Sequence, residues 1–396
     1  MKKNPVQRIM GPILMLMSLA ACDAPAYIAG QIDGVGEDSV TVYLIEPGSL
    51  REIAASYFGK AIDSAEVGAD GRFVFRNTPA TQGPVLYELA VQRSREYPNY
   101  LRTDNADSSN YMPLVWQPGE AVRITAKLNA FQKSFSIKQP SAVNTALLQL
   151  RDINDRAFQA HLAGKDWDLE DGAQLLEKEQ AILDYQTELM RFADTTRHLM
   201  PALVALRWVS PVGDYERVPE FLVGQCNRWR QQQPDDPWVE QLCQASEPAK
   251  LPVLVGSQFP DHMLPMMAGD TLPVRKLLGS RLTIIDLWAS WCGPCRKENR
   301  EVLVPIWDEF HDQGLQIIAY GLESDAAIWK AATERDGADR WHHASDLQGD
   351  DASFLKELRV RTIPANFILD DKGVVIGKNL HGQALMKLVR HHMGKP

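Results

Sequence analysis

The sequence predicts three successive structural segments: a β-rich one, a helical one and a C-terminal α/β one. Three patterns carry that expectation. Apolar residues recur with a period of two from about Tyr27 to Pro140. From about Ser141 to Ser246 the period lengthens to that of a helix. From about Pro252 onward, apolar strands and helical stretches take turns. A chain of 396 residues suggests two to three domains at roughly 150 residues each. The expected division is 1–21, 22–140, 141–250 and 251–396. Charged residues are 23% and hydrophobic ones 45%, which excludes wholesale disorder, collagen and coiled coil. A net charge of -9 argues against nucleic acid as a partner.

Residues 1–21 set the compartment. Lys2, Lys3 and Arg8 precede a short apolar stretch, Ile9 to Ala20, broken by Gly11 and Pro12. It is too short to span a bilayer and reads as a secretory signal. It ends in Leu19-Ala20-Ala21-Cys22, which resembles the bacterial lipobox. That resemblance implies cleavage before Cys22 and lipidation of its thiol. An ordinary signal with an incidental cysteine is the alternative. The expected location is the cell envelope, facing the periplasm and held to the membrane through the lipid. Several acyl chains anchor stably where one is marginal. Asp23 follows the cysteine, which in enteric bacteria favours the inner membrane; the choice of membrane stays open. No other run of about 18 apolar residues occurs, so the rest is expected to be soluble.

In the β-rich segment, Val122, Ile124, Ala126 and Leu128 alternate with Arg123, Thr125 and Lys127. Val40, Val42 and Leu44 repeat the period. Asp70-Gly71 ahead of Phe73-Val74-Phe75 signals a hairpin, and Pro118-Gly119 a turn. Short strands with regular turns suggest an antiparallel sandwich or barrel. The polar stretch Arg93 to Tyr111 reads as a long exposed loop.

In the helical segment, Leu147, Leu150, Ile153 and Ala157 share a face, as do Leu175, Ile182 and Leu189. These stripes read as core. Cys226 and Cys243 flank the turn around Pro234. In an exported protein they read as a structural disulfide between two short helices; two buried free thiols are the alternative.

In the last segment, Leu282 to Trp288 is an apolar strand, with a helix expected through about Phe310. A second strand spans Leu315 to Tyr320, and a helix Ala326 to Thr333. Asn366 to Leu369 and Val374 to Lys378 flank Asp371-Lys372-Gly373 as a hairpin. A last helix begins near Gln383. The histidines at 342, 343, 391 and 392 lack a carboxylate at ligand spacing and read as surface residues, with no metal expected.

The chemistry lies in Trp291-Cys292-Gly293-Pro294-Cys295. A CxxC within a βαβ context reads as a redox pair. Cys292 falls after a buried strand at the first turn of a helix, where the helix dipole stabilises a thiolate. Two intervening residues let Cys295 reach it. Pro294 suits a first turn, whose N–H would be unpaired anyway. Zinc would need a second close cysteine pair.

Trp288-Ala289-Ser290-Trp291-Cys292-Gly293-Pro294-Cys295 resembles the thioredoxin active site. The β-α-β-α-β-β-α order is the thioredoxin layout, so an α/β thioredoxin fold is expected at the C-terminus. Arg296-Lys297-Glu298, Pro364-Ala365-Asn366-Phe367-Ile368-Leu369-Asp370 and Asn379-Leu380-His381-Gly382 resemble the TlpA/ResA-like branch of membrane-tethered thioredoxins. The resemblance covers roughly residues 252–396. The preceding segments look like the N-terminal part of Bacteroidetes-type lipoproteins of the same class. The resemblance implies that Asp286, six positions before Cys292, is a buried carboxylate relaying protons to Cys295. It implies that Thr362-Ile363-Pro364 is the family's cis-proline loop, with Trp291, Ile363 and Pro364 meeting the substrate. Arg300 departs from the family, which has proline there. A straighter helix and added positive potential near the thiols are then expected.

The function expected is a lipid-anchored thiol–disulfide oxidoreductase without a cofactor, reducing protein or small-molecule disulfides in the periplasm. Cys292 attacks and Cys295 resolves the mixed disulfide. The Gly-Pro dipeptide between them favours reduction over oxidation. Electrons would come from a membrane thiol donor. Two alternatives are a peroxidase of the same fold and a binding lipoprotein with an accessory thioredoxin domain.

Overall fold

The computed structural model describes residues 28–394, apart from 37–38, 76–80, 94–95, 169–171 and 214. Cys22 and the signal-like residues lie outside the described ones. The N-terminal segment builds β1 (Ile28–Asp33), β2 (Val40–Glu46), β3 (Lys60–Glu66), β4 (Arg72–Val74), β5 (Val85–Arg93), β6 (Tyr111–Trp116) and β7 (Val122–Lys127). A short helix α1 (Phe131–Ser134) and strand β8 (Ser136–Ile137) follow. They form two four-stranded sheets, ordered β4-β1-β7-β8 and β3-β2-β5-β6. Along β7, Val122, Ile124 and Ala126 are buried while Arg123, Thr125 and Lys127 are exposed, as a sheet with one wet face requires. β6 is buried at every position, because helices cover its second face. At the Asp70-Gly71 turn a Cβ on Gly71 would lie 2.4 Å from the Ile32 carbonyl oxygen, and φ is +76°; only glycine fits there.

Two expectations for this segment need correction. The sheets are not wholly antiparallel, since β1 pairs with β7 in parallel from Ile28↔Val122 to Asp33↔Lys127. The stretch Arg93 to Tyr111 is not simply exposed. Leu101 and Asn110 are buried, and the Asn110 side chain accepts from the Arg102 N–H at 2.7 Å and donates to Gln92 Oε1 at 3.0 Å. Polar side chains satisfy the backbone there, so a polar stretch can be buried.

The helical segment comprises α2 (Ala142–His161), α3 (Gly172–Thr195), α4 (Leu199–Val209), α5 (Pro219–Gln232) and α6 (Pro237–Ala245). Ser141 caps α2, its hydroxyl accepting from the Asn144 N–H. The Asn144 amide pairs with both backbone groups of Val115 on β6, at 2.9 and 2.7 Å. Every residue of helix α4 except Met200 is buried. The Trp208 indole donates to the Tyr111 hydroxyl at 2.9 Å. One continuous apolar core therefore runs from Ile28 to Leu251 through both sheets and helices.

A second core begins at Phe259. A hairpin of β9 (Met263–Pro265) and β10 (Thr271–Pro273) leads in. There follow β11 (Leu282–Trp288), α7 (Gly293–Glu298), α8 (Val304–Phe310), β12 (Leu315–Gly321), α9 (Ala326–Arg335), β13 (His342–Ala344), α10 (Ser353–Leu358), β14 (Ala365–Asp370), β15 (Val375–Lys378) and α11 (Gly382–Met393). Their sheet is ordered β13-β12-β11-β14-β15, with β11, β12 and β13 parallel and β14 and β15 antiparallel to their neighbours. This is the thioredoxin-like fold. All seven residues of β11 are buried, as the central strand of a covered sheet must be. His343 is buried rather than on the surface, and burial first of all holds its imidazole down to about 4. No helix among the described residues is long and apolar enough to cross a membrane.

Candidate redox site

The site is assembled at the C-terminal end of β11 and the N-terminal end of β14, which lie side by side because the two strands are antiparallel. Strand β11 delivers Trp288, and the chain turns through Ala289-Ser290-Trp291 into α7. Cys292 is the residue before the helix, with extended backbone (φ -80°, ψ 97°), and its Sγ accepts from the Cys295 N–H at 3.3 Å. That N–H belongs to the unpaired first turn of a helix, so the sulfur acts as its cap. The two sulfurs are bonded, with Cα atoms 5.3 Å apart. Trp291 projects outward, 67% exposed. Cys292 and Cys295 are 5% and 2% exposed. Both cysteines are nearly covered, and the indole of Trp291 is the prominent surface feature.

Ser290 is fixed from behind. Its N–H and hydroxyl both donate to the carboxylate of Glu323, at 2.5 and 2.8 Å. Glu323 follows β12 and is buried. The turn carrying Trp291 and Cys292 is thus tied to the neighbouring strand.

Asp286 is buried on β11, and its Oδ2 has no hydrogen-bond partner. Burial first, then the charge of Glu298, push its carboxyl well above the usual carboxylate range. Glu298 is also buried, three residues past Cys295 on α7. It faces His381 Nδ1 at 2.8 Å and accepts from the Gly382 N–H at 3.1 Å.

The Ile363–Pro364 bond is cis. Pro364 is buried and Ile363 half-buried. Ile363 makes no backbone hydrogen bond among the described residues. The residues just before it are gripped by the helical segment. Glu216 accepts from the Arg361 N–H at 2.9 Å and lies 3.3 Å from Thr362 Oγ1. Arg217 donates to that same hydroxyl at 2.9 Å and pairs with Glu179 on α3 at 3.0 Å. Helix α3 itself packs against α7.

Arg300 departs from expectation twice. It adds no free positive charge near the thiols, because it pairs with Asp336 at 2.8 Å. Arg296 binds the same carboxylate in bidentate fashion, both contacts 2.8 Å. Burial works to raise Asp336, but the hydrogen bonds from Arg296 and Arg300 outweigh it and hold the carboxyl low. Nor does one regular α-helix run on from Gly293. A π-helical turn, Asn299–Leu303, separates α7 from α8, so the regular α-helix is interrupted without proline at 300.

Residues 254–384 match the Redoxin family. The thiol:disulfide interchange protein DsbE of Pseudomonas fluorescens biotype C is 28% identical over 136 residues, covering 33% of this chain and 70% of its own. The thiol-disulfide oxidoreductase ResA of Bacillus thuringiensis subsp. konkukian is 22% identical over 142 residues, covering 36% and 78%. The C-terminal domain is a thioredoxin-like thiol–disulfide oxidoreductase. A solved thiol-disulfide oxidoreductase from Bacteroides fragilis is similar at 24% identity, covering 34% of this chain and 98% of its own, with a TM-score of 0.32.

Sequence reasoning assigned the oxidoreductase no role for Glu298, Glu323 or Asp336. Glu298 had a usable signal. It lies at i+3 from Cys295, which puts both on one helix face. Glu323 and Asp336 had none, since their partners at 290, 296 and 300 are remote in sequence. Cys226 and Cys243 are bonded in the structure, joining α5 to α6 with Cα atoms 4.9 Å apart. They stand apart from the redox site. Among the described residues, no group of three or more His, Cys, Asp or Glu side chains is arranged to hold a metal.

Proposed function

We propose that this chain is a membrane-anchored reductase of protein disulfides in the periplasm, acting through Cys292 and Cys295. The observation that carries the reading is the position of Cys292: a helix N-cap beside Cys295, with the carboxyls of Asp286 and Glu298 buried in the same domain. Reduced Cys292 attacks a substrate disulfide as thiolate. One substrate sulfur leaves as a thiol and a mixed disulfide remains. The Cys295 thiol gives its proton to Asp286 and displaces the second substrate sulfur. The substrate gains two electrons and two protons, and the Cys292–Cys295 disulfide is left for a membrane thiol donor to reduce. Trp291, Ile363 and Pro364 border the substrate, and Ile363 offers its backbone to an incoming strand. The lipid on Cys22 holds the protein at the envelope.

Insulin-disulfide reduction tests the chemistry. The wild type should turn over and Cys292→Ser should not. Cys295→Ser should accumulate a covalent substrate complex that dithiothreitol releases. Insulin reduction surviving Cys292→Ser would remove the dithiol from the mechanism. Cys22→Ala with the signal retained should move the protein out of the membrane pellet, and an unchanged pellet would sink the anchor.

A further inference from the structure

A cleft of about 720 Å³ opens where the β-rich segment, the helical segment and the thioredoxin-like domain meet. Six basic side chains line it: Arg51, Arg207, Lys250, Lys356, Arg359 and Arg361. Only two carboxylates do, Glu216 and Asp350. This local excess of positive charge sits in a chain whose net charge is -9. Four of the six are spoken for. Arg207 donates to the carbonyl oxygens of Ile53, Ser210 and Pro211. Arg359 donates to that of Ala249. Lys250 pairs with Glu247 and Lys356 with Asp351. Arg51 and Arg361 are exposed, and their guanidinium groups have no partner among the described residues. Glu216 is already turned to the Arg361 N–H and Thr362.

The cleft adjoins the substrate loop. Val360 and Arg361 form part of its wall, and Ile363 is two residues on. An extended chain advances about 3.3–3.6 Å per residue. A polypeptide strand aligned at Ile363 therefore reaches the cleft within a few residues. We propose that the cleft binds an acidic stretch of the polypeptide whose disulfide is being reduced. The occupant follows from charge complementarity: two unpaired guanidiniums in a basic recess suit carboxylates, and the rest of the acidic surface repels them. The proposal rests on the dithiol reading above and adds a substrate preference to it.

Two synthetic peptides test it, sharing one internal disulfide and differing only in flanks of glutamate or glutamine. The wild type should reduce the glutamate peptide with a KM about tenfold lower, the size a few exposed charge pairs supply. In Arg51→Gln/Arg361→Gln the ratio should fall below about threefold. Equal KM values in the wild type, or a ratio that survives the double substitution, overturn the proposal. Binding is read separately by fluorescence anisotropy, with serine replacing both peptide cysteines. The glutamate version should bind about tenfold tighter, and about 0.5 M salt should erase the difference. Preferential binding without any reduction would discard the dithiol reading and keep the cleft. Reduction of both peptides with no preference in KM or binding would do the reverse. Displacement by citrate at constant ionic strength, at concentrations near the peptide's own Kd, would mark a small-anion site and overturn the peptide assignment.

Discussion

A carboxylate inside an otherwise apolar strand is costly to bury and needs a reason. The burial of Asp286 was legible in the sequence, whereas its role came only from the family resemblance. Glu298 was harder to see, because Arg296-Lys297-Glu298 reads as a solvated helix face until the fold turns its third member inward. In the proposed mechanism Asp286 is the base, and burial together with Glu298 makes it pH-dependent. Burial and Glu298 hold Asp286 protonated above the usual carboxylate range, and a base must be ionised to accept the Cys295 proton. Resolution of the mixed disulfide should therefore speed up as pH rises through the Asp286 ionisation. Asp286→Asn should slow that step about a hundredfold near neutral pH, the lower end of general-base effects, and flatten the rise. Stopped-flow measurement of resolution from pH 5 to pH 9 checks both; a variant with the wild-type slope would exclude Asp286 as the base.

At the scale of elements, the segment from Gly293 to Phe310 shows what a single-residue rule misses. Arg300 in place of proline suggests an uninterrupted helix, yet a π turn at Asn299–Leu303 breaks its regular hydrogen bonding. A π turn is a choice of hydrogen-bond partner, and no residue type announces it. The α5–α6 pair is the opposite case. A cysteine on each side of the turn at Pro234 made that hairpin legible. Its disulfide closes a separation of 17 residues, which corresponds to about 3 kcal/mol of denatured-state entropy. Cys226→Ala/Cys243→Ala should lower unfolding free energy by about 2–4 kcal/mol while insulin reduction persists in the folded fraction. Urea melts and activity measured below the midpoint check this. Loss of activity without loss of stability would give the pair a redox role instead.

At the scale of the molecule, period alone marked out the β-rich, helical and α/β stretches. It could not show that the first two share one core, since Trp208–Tyr111 and Asn144–Val115 are contacts between residues far apart in sequence. Nor could it show β9, β10 or β13, each three residues long, too short to establish a period. That shared core contains Glu88, fully buried on β5. The Ala54 N–H reaches one of its oxygens at 2.6 Å and the other has no partner. Burial outweighs the Ala54 N–H and Arg207, and pushes its carboxyl from 4.5 up to about 8. The folded protein then keeps a proton that the unfolded chain releases above about 4.5. Stability should fall as pH rises through that window, by at most about 1.4 kcal/mol per unit. Asp286 pulls the same way, whereas His343, lowered to about 4, costs stability only as pH falls below about 6.5. Relative to Glu88→Gln, the wild type should lose about 2–4 kcal/mol between pH 5 and pH 8. Denaturant melts of both proteins at the two pH values decide it, and a constant difference would show that Glu88 is ionised in the fold.

The parallel pairing of β1 with β7 has a kinetic consequence. β1 emerges from the ribosome or the export channel well before Val122–Lys127, its long-range neighbour. Until then one edge of Ile28–Asp33 carries open N–H and C=O groups, which can recruit other extended chains. Local hairpins can close early, but this sheet must wait for a distant strand, and such closures are slow. Arrested nascent chains ending at residue 118 should therefore stay protease-sensitive across β1 and associate with holdase chaperones. Chains long enough to free residues 28–251 from the ribosome should become resistant. Equal protection at both lengths would mean that β4 alone secures β1, and that the late strand merely completes the sheet.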